Sequence, residues 1–409
     1  MSRSTPPTAD AARRSGRRPI RVLFVSDTGG QLGGAERSLL SLVEALDQRR
    51  YELHAVVGTE GPFAARLRGA HVRVAVRPLA TIARTRNPLK LLLYAARFLR
   101  GVLSLAWRIR RLRIDVVHAN KNTLAIYAIP AARLTGAASL WHARNRATNF
   151  GRVGAWLFRH CDRVVCVSES IARPFRKSFP DDQQRIAVVH EGIDPAPFAA
   201  PEAGTDLRDL LGARPGERWV GTVGRLTPWK GQDDFLRAAA RVAEGDPDAR
   251  FLVVGDCVAS PAEQAADEAF RDRLHALAGE LGITEAVRFT GYRDDVPAAM
   301  NALDVFVLPS QDEPFGIVVL EAMAAARPIV ATNAGGVPEI ARDGEEALLV
   351  PVGDVPAMAE AIERLLSDPE LAARLARAAE ARVREAFPLW RHAARLRELY
   401  ETLAAREQG

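Results

Sequence analysis

Two glutamates with seven residues between them stand out in the segment SQDEPFGIVVLE, residues 310–321. Glu313 precedes a proline and a glycine, and Glu321 lies inside the apolar run IVVLEAMAAA. Proline favours the first turn of a helix, and glycine lets the backbone approach a ligand closely. The pattern therefore predicts Glu313 on a loop and Glu321 one to two turns into a helix, whose free N–H groups suit a phosphate.

Glu313 has an alternative interpretation, in which its carboxylate only stabilises the start of the helix, by about 0.3–1 kcal/mol. Glu321 does not fit that interpretation, because burying an unpartnered carboxylate in an apolar helix is costly. A sugar hydroxyl would satisfy it. We therefore interpret the two glutamates as a ligand-binding pair.

A second segment, GTVGRLTPWKG at residues 221–231, follows a predicted buried strand and carries two cations, Arg225 and Lys230. Arginine binds phosphate oxygens in pairs, and lysine acts as a point charge. Together they would neutralise a diphosphate leaving group. Either one alone is more simply a solvated loop cation, whereas the pair in a glycine-flanked loop favours a phosphate site. The segment does not match GxGxxG, which disfavours an NAD-dependent oxidoreductase.

Short apolar runs alternate with helical patterns along the chain, which predicts parallel sheets covered by helices on both faces. The first run, IRVLFVS at Ile20–Ser26, precedes the glycine-rich loop TGGQLGGAE and an amphipathic helix at about 35–46. Further strands are predicted at 52–57, 72–76, 114–118, 138–142, 163–168, 186–190, 219–223, 251–254, 287–290, 305–308, 329–332 and 347–350. A ligand of two such halves is expected in the cleft between them, at the carboxyl ends of the strands.

The same patterns predict the domain boundaries. Residues 1–19 are a basic tail without an apolar stretch, residues 20–198 form a first α/β domain, and a Pro-, Gly- and Ala-rich linker occupies 199–216. The second α/β domain spans 217–387, and we expect a last helix at 388–409 to pack back toward the first domain.

At this point the chain resembles the family 4 retaining glycosyltransferases. The matching segments are GGAER at 33–37, HEGID at 190–194, GRLTPWKG at 224–231 and EPFGIVVLE at 313–321. Their order and spacing cover nearly the whole chain beyond the tail, and the combination is more specific than any one of them. The resemblance implies the GT-B fold, in which two Rossmann-like, doubly wound parallel-sheet lobes face each other across a cleft.

The resemblance also implies roles for individual residues. Arg225 and Lys230 would hold the diphosphate of a nucleotide-sugar donor, Glu313 the hydroxyls of the transferred sugar, and Glu321 the nucleotide ribose. Other donor contacts are expected from Gly33, Gly34, Tyr292, Arg293, Phe315, Gly316 and Ile317. The expected catalytic residues are Arg225, Lys230, Glu313 and His142.

Two positions depart from the family pattern. His142 corresponds to a cleft-facing histidine of the family, but Ala143 follows it where aspartate is commoner, so the hydrogen-bond partner of the ring is open. The alternative interpretation of His142 is a satisfied histidine at a strand end. Glu191, in HEGID, stands where asparagine is common, and we assign it no catalytic role.

The expected activity is transfer of a hexose, with retention of its anomeric configuration, from a nucleotide-diphosphate sugar to an acceptor hydroxyl in glycolipid, polysaccharide or cell-envelope glycan synthesis. UDP-sugars are the first expectation for the donor and GDP-mannose the second. Neither a cofactor nor a metal is expected. The alternatives are another GT-B enzyme, such as an epimerase or a phosphorylase, and a catalytically silent protein that binds sugar nucleotides or associates with membranes.

The formal charge is +6, and one segment outside the tail is especially basic. Residues 87–113, NPLKLLLYAARFLRGVLSLAWRIRRLR, interleave apolar and basic side chains without an acidic one. This pattern fits a helix on an anionic membrane surface, near a lipid-linked acceptor, and it equally fits an ordinary lobe helix with solvated cations. No nucleic-acid reader motif occurs. With few cysteines and no signal peptide, we expect a cytoplasmic protein that is peripheral on the inner face of the cytoplasmic membrane. Its oligomeric state is left open.

Overall fold

The computed structural model describes residues 18–26, 32–79, 87–146, 150–257 and 264–406. Most of the predicted tail, and residues 27–31 of the first glycine-rich loop, lie outside the described residues. Arg18 is described, and its guanidinium forms an ion pair with Asp115 at 2.6 Å.

The first lobe alternates strands with helices from its start. Its strands are β1 (Ile20–Ser26), β2 (Tyr51–Val57), β3 (Arg73–Val76), β4 (Val116–Ala119), β5 (Ala138–Ala143), β6 (Arg163–Cys166) and β7 (Ile186–Val188). Its helices are α1 (Gly34–Ala45), α2 (Pro62–Gly69), α3 (Pro88–Leu112), α4 (Asn122–Thr135), α5 (Gly151–His160) and α6 (Glu169–Ser178). The described strands pair in parallel in the order β3-β2-β1-β4-β5-β6-β7, so the carboxyl ends of all of them lie at one edge.

The second lobe repeats the architecture. Its strands are β8 (Arg218–Val223), β9 (Ala249–Val254), β10 (Val287–Gly291), β11 (Val305–Leu308), β12 (Ile329–Thr332) and β13 (Leu348–Val350). Its helices are α7 (Pro201–Leu210), α8 (Gln232–Gly245), α9 (Gln264–Glu280), α10 (Val296–Asn301), α11 (Ile317–Ala324), α12 (Val337–Ile340), α13 (Val355–Ser367) and α14 (Pro369–Ala386). In the described residues its sheet has the parallel order β10-β9-β8-β11-β12-β13. The prediction of two doubly wound parallel-sheet lobes is confirmed.

Most predicted strands lie within one or two residues of the observed ones. The predicted strand at 163–168 is too long, because Ser168 is the N-cap of α6 and its hydroxyl accepts the N–H of Ile171 at 3.2 Å. The predicted strand at 114–118 starts two residues before β4, although the backbone of Asp115 already donates to the carbonyl of Arg21 and accepts the N–H of Ala138.

The segment interpreted as a linker contains a helix, α7, that packs on the second lobe. Arg208 of α7 forms an ion pair with Asp304 at 2.7 Å and also donates to the carbonyl of Ala302. A Cβ at Gly204 would lie 2.3 Å from the carbonyl carbon of Asn301, so the absent side chain lets α7 touch α10. Gly204, one of the small residues that suggest a flexible link, therefore allows close helix packing.

The last helix, α15 (Leu389–Arg406), returns to the first lobe. Its buried apolar side chains, Ala393, Leu396, Leu403 and Ala404, join the first-lobe core with residues of α1, α2 and β1. The two chain crossings between lobes run side by side, since Ile193 exchanges backbone hydrogen bonds with Phe387 and Leu389.

Candidate active site

The centre of the site is a buried ion pair between two of the predicted residues. Lys230 Nζ lies 2.6 Å from Glu313 Oε2, and both side chains are largely buried. The hydroxyl of Ser310 donates to the same carboxylate oxygen at 3.2 Å. The N-cap of α11 is Gly316, which makes no side-chain capping bond, so Glu313 does not act as a helix cap. The carboxylate of Glu313 is thus engaged with Lys230 and Ser310 beside the start of α11.

Three backbone segments meet at this ion pair because glycines leave room. A Cβ at Gly231 would lie 2.1 Å from the carbonyl oxygen of Pro309, and one at Gly335 would lie 1.9 Å from that of Glu313. Both glycines have positive φ, +70° and +60°, which side-chain-bearing residues rarely adopt. The close approach brings the loop after β8 and the loop after β12 against the loop after β11.

Glu321 lies just beyond the first turn of α11 and is buried. Burial raises its pKa to about 7, while the positive charges of Arg37 and Lys230 act in the opposite direction. Glu321 is thus a carboxyl group held close to its titration point, next to the cations of the site. Both of its protonation states are therefore accessible near neutral pH.

Arg225 is bound to an acidic residue that the sequence did not reveal. Its guanidinium contacts Asp267 Oδ2 through Nη2 at 2.7 Å and through Nε at 3.2 Å. Asp267 lies in the first turn of α9 and is buried. Neither Arg225 nor Lys230 is a freely solvated loop cation, since each has a buried acidic partner.

The first lobe contributes the start of α1. Gly33 is the N-cap of α1, and a Cβ on Gly34 would be 3.7 Å from Ile317 Cδ1, so the amino ends of α1 and α11 face each other across the cleft. Arg37 of α1 lies 3.7 Å from Asp294.

The loop after β10 is internally paired. Tyr292 donates its hydroxyl hydrogen to Asp294 at 2.7 Å, and the Arg293 guanidinium pairs with Asp295. These two predicted donor contacts are therefore engaged with carboxylates of their own loop, at the rim beside α1.

The lobes touch near the site. The Ser168 hydroxyl, from the first lobe, donates to the carbonyl of Pro314 at 2.6 Å. The Glu339 carboxylate, from the second lobe, accepts the first N–H groups of α6 and lies 2.9 Å from His190 Nε2. The ring of His190 stacks on Phe315, with ring centres 5.5 Å apart. The structure therefore has its lobes in contact, with Glu313 and Glu321 enclosed.

His142 lies at the end of β5 and is fully buried, not open to the cleft. Its Nδ1 is 3.1 Å from Nε2 of His118 and 3.4 Å from a guanidinium nitrogen of Arg144. Burial, followed by the charge of Arg144, lowers the pKa of His142 well below its usual value, so the ring is neutral. Its Nε2 has no hydrogen-bond partner among the described residues. The resemblance implies a cleft-facing ring, whereas the structure buries it among polar side chains of the first lobe.

Comparison with known proteins decides the family. The sequence model described as Glycosyltransferase Family 4 matches residues 32–197, and the one described as Glycosyl transferases group 1 matches residues 205–382. The lipopolysaccharide core biosynthesis glycosyltransferase LpsE of Rhizobium meliloti is 31% identical over 360 residues, which are 85% of this chain and 89% of LpsE. This chain belongs to glycosyltransferase family 4.

Other known proteins match parts of the chain or its fold. The D-inositol 3-phosphate glycosyltransferase of Streptomyces bingchenggensis is 33% identical over 216 residues, 52% of this chain and 47% of that enzyme, so the match spans about half the length of such relatives. Anabaena HepE, solved in complex with UDP and glucose, superimposes with a TM-score of 0.80 at 25% identity over 94% of this chain and all of HepE. The fold of this family 4 chain is GT-B.

Glu321→Gln should change how stability depends on pH. The folded-state pKa is raised from 4.5 to about 7, so this carboxyl's contribution to stability is fully present below about pH 4.5 and is lost as the pH rises through 7. The Gln variant should therefore gain stability relative to the native protein, by a few degrees in Tm, between about pH 5 and pH 8. Thermal unfolding across this range measures the difference, with Glu363→Gln, exposed on α13, as control. A pH-independent difference would contradict the assignment.

Proposed function

We propose that this protein transfers a hexose from a nucleotide-diphosphate sugar to an acceptor hydroxyl, with retention of anomeric configuration. The observation that carries the proposal is the buried Lys230–Glu313 ion pair beside the start of α11. A diphosphate binds a cation, and the hydroxyls of a sugar bind a hydrogen-bond acceptor. Lys230 and Glu313 supply these two partners side by side.

The ion pair also supports an exchange of partners when the donor binds. Without a donor, Lys230 and Glu313 neutralise each other, which limits the cost of burying either charge. A donor diphosphate would share Lys230, and the sugar hydroxyls would then donate to the oxygens of Glu313. Arg225, oriented by Asp267, would add a second cation on the diphosphate.

The chemistry expected from this arrangement is stabilisation of the leaving group. In the transition state, positive charge develops on the sugar ring and negative charge on the departing diphosphate. The cations and the amino end of α11 would bind that developing charge more strongly than the ground state, which lowers the barrier. The acceptor hydroxyl would enter on the face from which the nucleotide leaves, and a donor phosphate oxygen would take its proton.

A UDP-sugar is the first candidate for the donor. Support comes from HepE, which is similar over its whole length and is known in complex with UDP and glucose. GDP-mannose is the second candidate, because the loop after β10 and Glu321 do not by themselves distinguish the bases. We propose that the reaction is independent of metal ions.

The acceptor is proposed to be a glycan or a lipid-linked glycan presented at an anionic membrane surface. The carboxyl-terminal half of α3 is an ordinary lobe helix, since Val102, Leu105, Ala106 and Ile109 are buried in the core. The amino-terminal half differs, because no described side chain from 89 to 100 is buried. Its exposed leucines are Leu89, Leu91, Leu92, Leu93 and Leu99. The two interpretations of this segment thus each fit one half of the helix.

The position and charge of this apolar surface suit a membrane. Helices of the first lobe begin at the edge where the strands end, so the exposed leucines lie at the cleft side of the sheet. Lys90, Arg97 and Arg100 accompany them, and no acidic residue occurs in the helix. In the described part of the chain no helix is both long and apolar enough to cross a bilayer. Peripheral attachment at the inner face of the cytoplasmic membrane is the arrangement we propose.

Donor hydrolysis and thermal shift across UDP-, GDP-, ADP- and dTDP-sugars, each with and without EDTA, test the proposal. We expect one nucleotide class to raise Tm and to be turned over, with no loss in EDTA. No response of the folded protein to any donor would contradict the proposal and favour a silent binding partner. Interconversion of the sugar without transfer would instead favour an epimerase.

Lys230→Ala and Glu313→Ala should each reduce transfer by about 100-fold or more, because each removes one partner of the donor and leaves the other charge unpaired. Initial rates with the active donor measure the loss, and circular dichroism checks the fold. Arg395→Gln, at an exposed ion pair on α15, is the matched control and should retain full activity. Native turnover in both alanine variants would contradict the assigned roles.

Leu89→Glu combined with Leu92→Glu should weaken binding to anionic vesicles by about 100-fold, because two leucine side chains no longer enter the bilayer interface. Co-sedimentation with phosphatidylglycerol–phosphatidylcholine vesicles measures it. Leu210→Glu is the control, since Leu210 is 75% exposed on α7, comparable to 78% for Leu89 and 70% for Leu92. Equal binding of all three proteins, or binding independent of phosphatidylglycerol, would contradict the membrane proposal.

A further inference from the structure

Two arginines of the first lobe approach one carboxylate of the second lobe across the cleft. Arg37, at the end of the first turn of α1, lies 3.7 Å from Asp294 Oδ1, and Arg66, in α2, lies 3.6 Å from Asp294 Oδ2. Both distances are longer than a hydrogen bond, and Asp294 Oδ1 already accepts the hydroxyl hydrogen of Tyr292 at 2.7 Å. The hydrogen bond from Arg37 Nε to the carbonyl of Leu32 is also long, at 3.4 Å. Asp294, whose side chain is 54% exposed, therefore holds neither arginine firmly.

Glu36, the residue before Arg37, does not supply a closer counter-ion. Its carboxylate lies 2.7 Å from Lys121 Nζ, at the N-cap of α4, so the two charges neutralise each other. Arg225 and Lys230 differ from Arg37 in this respect, because their acidic partners are buried and lie 2.7 and 2.6 Å away. Arg37 is thus the cation near the cleft that exchanges its present partner at the lowest cost.

Arg37 acts on the candidate donor site although it belongs to the other lobe. Burial raises the pKa of Glu321, and among the charges that oppose this effect Arg37 acts more strongly than Lys230. The amino ends of α1 and α11 face each other, since a Cβ on Gly34 would be 3.7 Å from Ile317 Cδ1. An anion between these helix ends would therefore lie beside Arg37 and near backbone N–H groups of both helices.

We propose that Arg37 is a third cation for the donor diphosphate, which leaves Asp294 and binds a phosphate when a nucleotide sugar occupies the cleft. The proposal rests on the proposed function. Arginine donates paired hydrogen bonds to phosphate oxygens, and these are stronger than a long contact with an exposed carboxylate. Arg225 and Lys230 belong to the second lobe, so Arg37 makes complete neutralisation of the leaving group depend on contact between the lobes.

Arg66 and Asp294 separate this role from a simple contact between the lobes. If Arg37 only held the lobes together through Asp294, then Arg66, at the same carboxylate, would be its equivalent. Arg66 is not among the charges that act on Glu321 in the described part of the chain. A donor that takes Arg37 from Asp294 competes with that carboxylate, so Asp294→Asn should not weaken nucleotide binding. A contact that only joins the lobes requires the opposite, because Asp294→Asn would remove it.

Calorimetry with UDP, and with uridine by competition against UDP, tests the phosphate contact. We expect Arg37→Met to weaken UDP binding by about 10-fold or more and uridine binding by less than about 3-fold, because only UDP carries phosphates. Arg66→Met should bind UDP like the native protein, and Asp294→Asn should bind it as tightly or more tightly. GDP and guanosine replace these probes if the donor panel selects guanine. Native UDP affinity in Arg37→Met, equal losses for UDP and uridine, or an equal loss in Asp294→Asn would each overturn the inference.

Transfer kinetics test the catalytic consequence. We expect the kcat of Arg37→Met to fall by about 100-fold, since a charge on the leaving group loses a partner in the transition state. Arg37→Lys should recover part of this loss, because it keeps the charge without the paired hydrogen bonds. Arg66→Met is the matched control, and thermal unfolding checks that each variant is folded.

The outcomes also separate this inference from the proposed function. A native protein that binds neither UDP nor GDP would overturn both. Nucleotide binding and transfer that Arg37→Met leaves at native levels would overturn only the role of Arg37. A loss of kcat in Arg66→Met as large as that in Arg37→Met would assign the effect to contact between the lobes, and would also overturn it.

Discussion

The contact on which the site depends is the buried ion pair between Lys230 and Glu313. Two charges with little solvent access are tolerable only if each neutralises the other and the remaining hydrogen-bond capacity is filled, in part by Ser310. The pair in turn requires three loops to meet at backbone contact distance, which Gly231 and Gly335 permit. The loops at the carboxyl ends of the second-lobe strands are thus packed around the Lys230–Glu313 ion pair.

The first lobe holds its charges in the same way but with different residues. Arg144 and Glu191 form the buried pair there, and Ser38 of α1 joins them, so the start of α1 is fixed relative to β5. Helix α15 adds Tyr400 and His392 to the same cluster, although its chain arrives from the second lobe. The cluster therefore connects α15 to the end of β5 through hydrogen bonds.

Local patterns predict the fold well and the site in part. Buried parallel strands are continuous apolar runs, so the predicted strands at 305–308 and 329–332 have their observed bounds, and the glutamate pair and the basic loop are recognisable from spacing. The sequence could not reveal that Arg225 binds Asp267, 42 residues away, or that Arg144 binds Glu191, 47 residues away, because only the tertiary fold joins them. Helix α7 escapes prediction because its one proline, Pro201, and its small residues are equally typical of a linker.

The most direct test of a same-face reaction is the anomeric configuration of the product. Proton NMR of the product formed from the active donor, followed from the first turnovers, distinguishes an axial from an equatorial anomeric proton. An α-linked nucleotide sugar should give an α-linked product, as expected when the acceptor enters on the face that the diphosphate leaves. A β-linked first product would contradict retention. It would also contradict the proposal that the acceptor enters beside Arg225 and Lys230, on the face from which the diphosphate leaves.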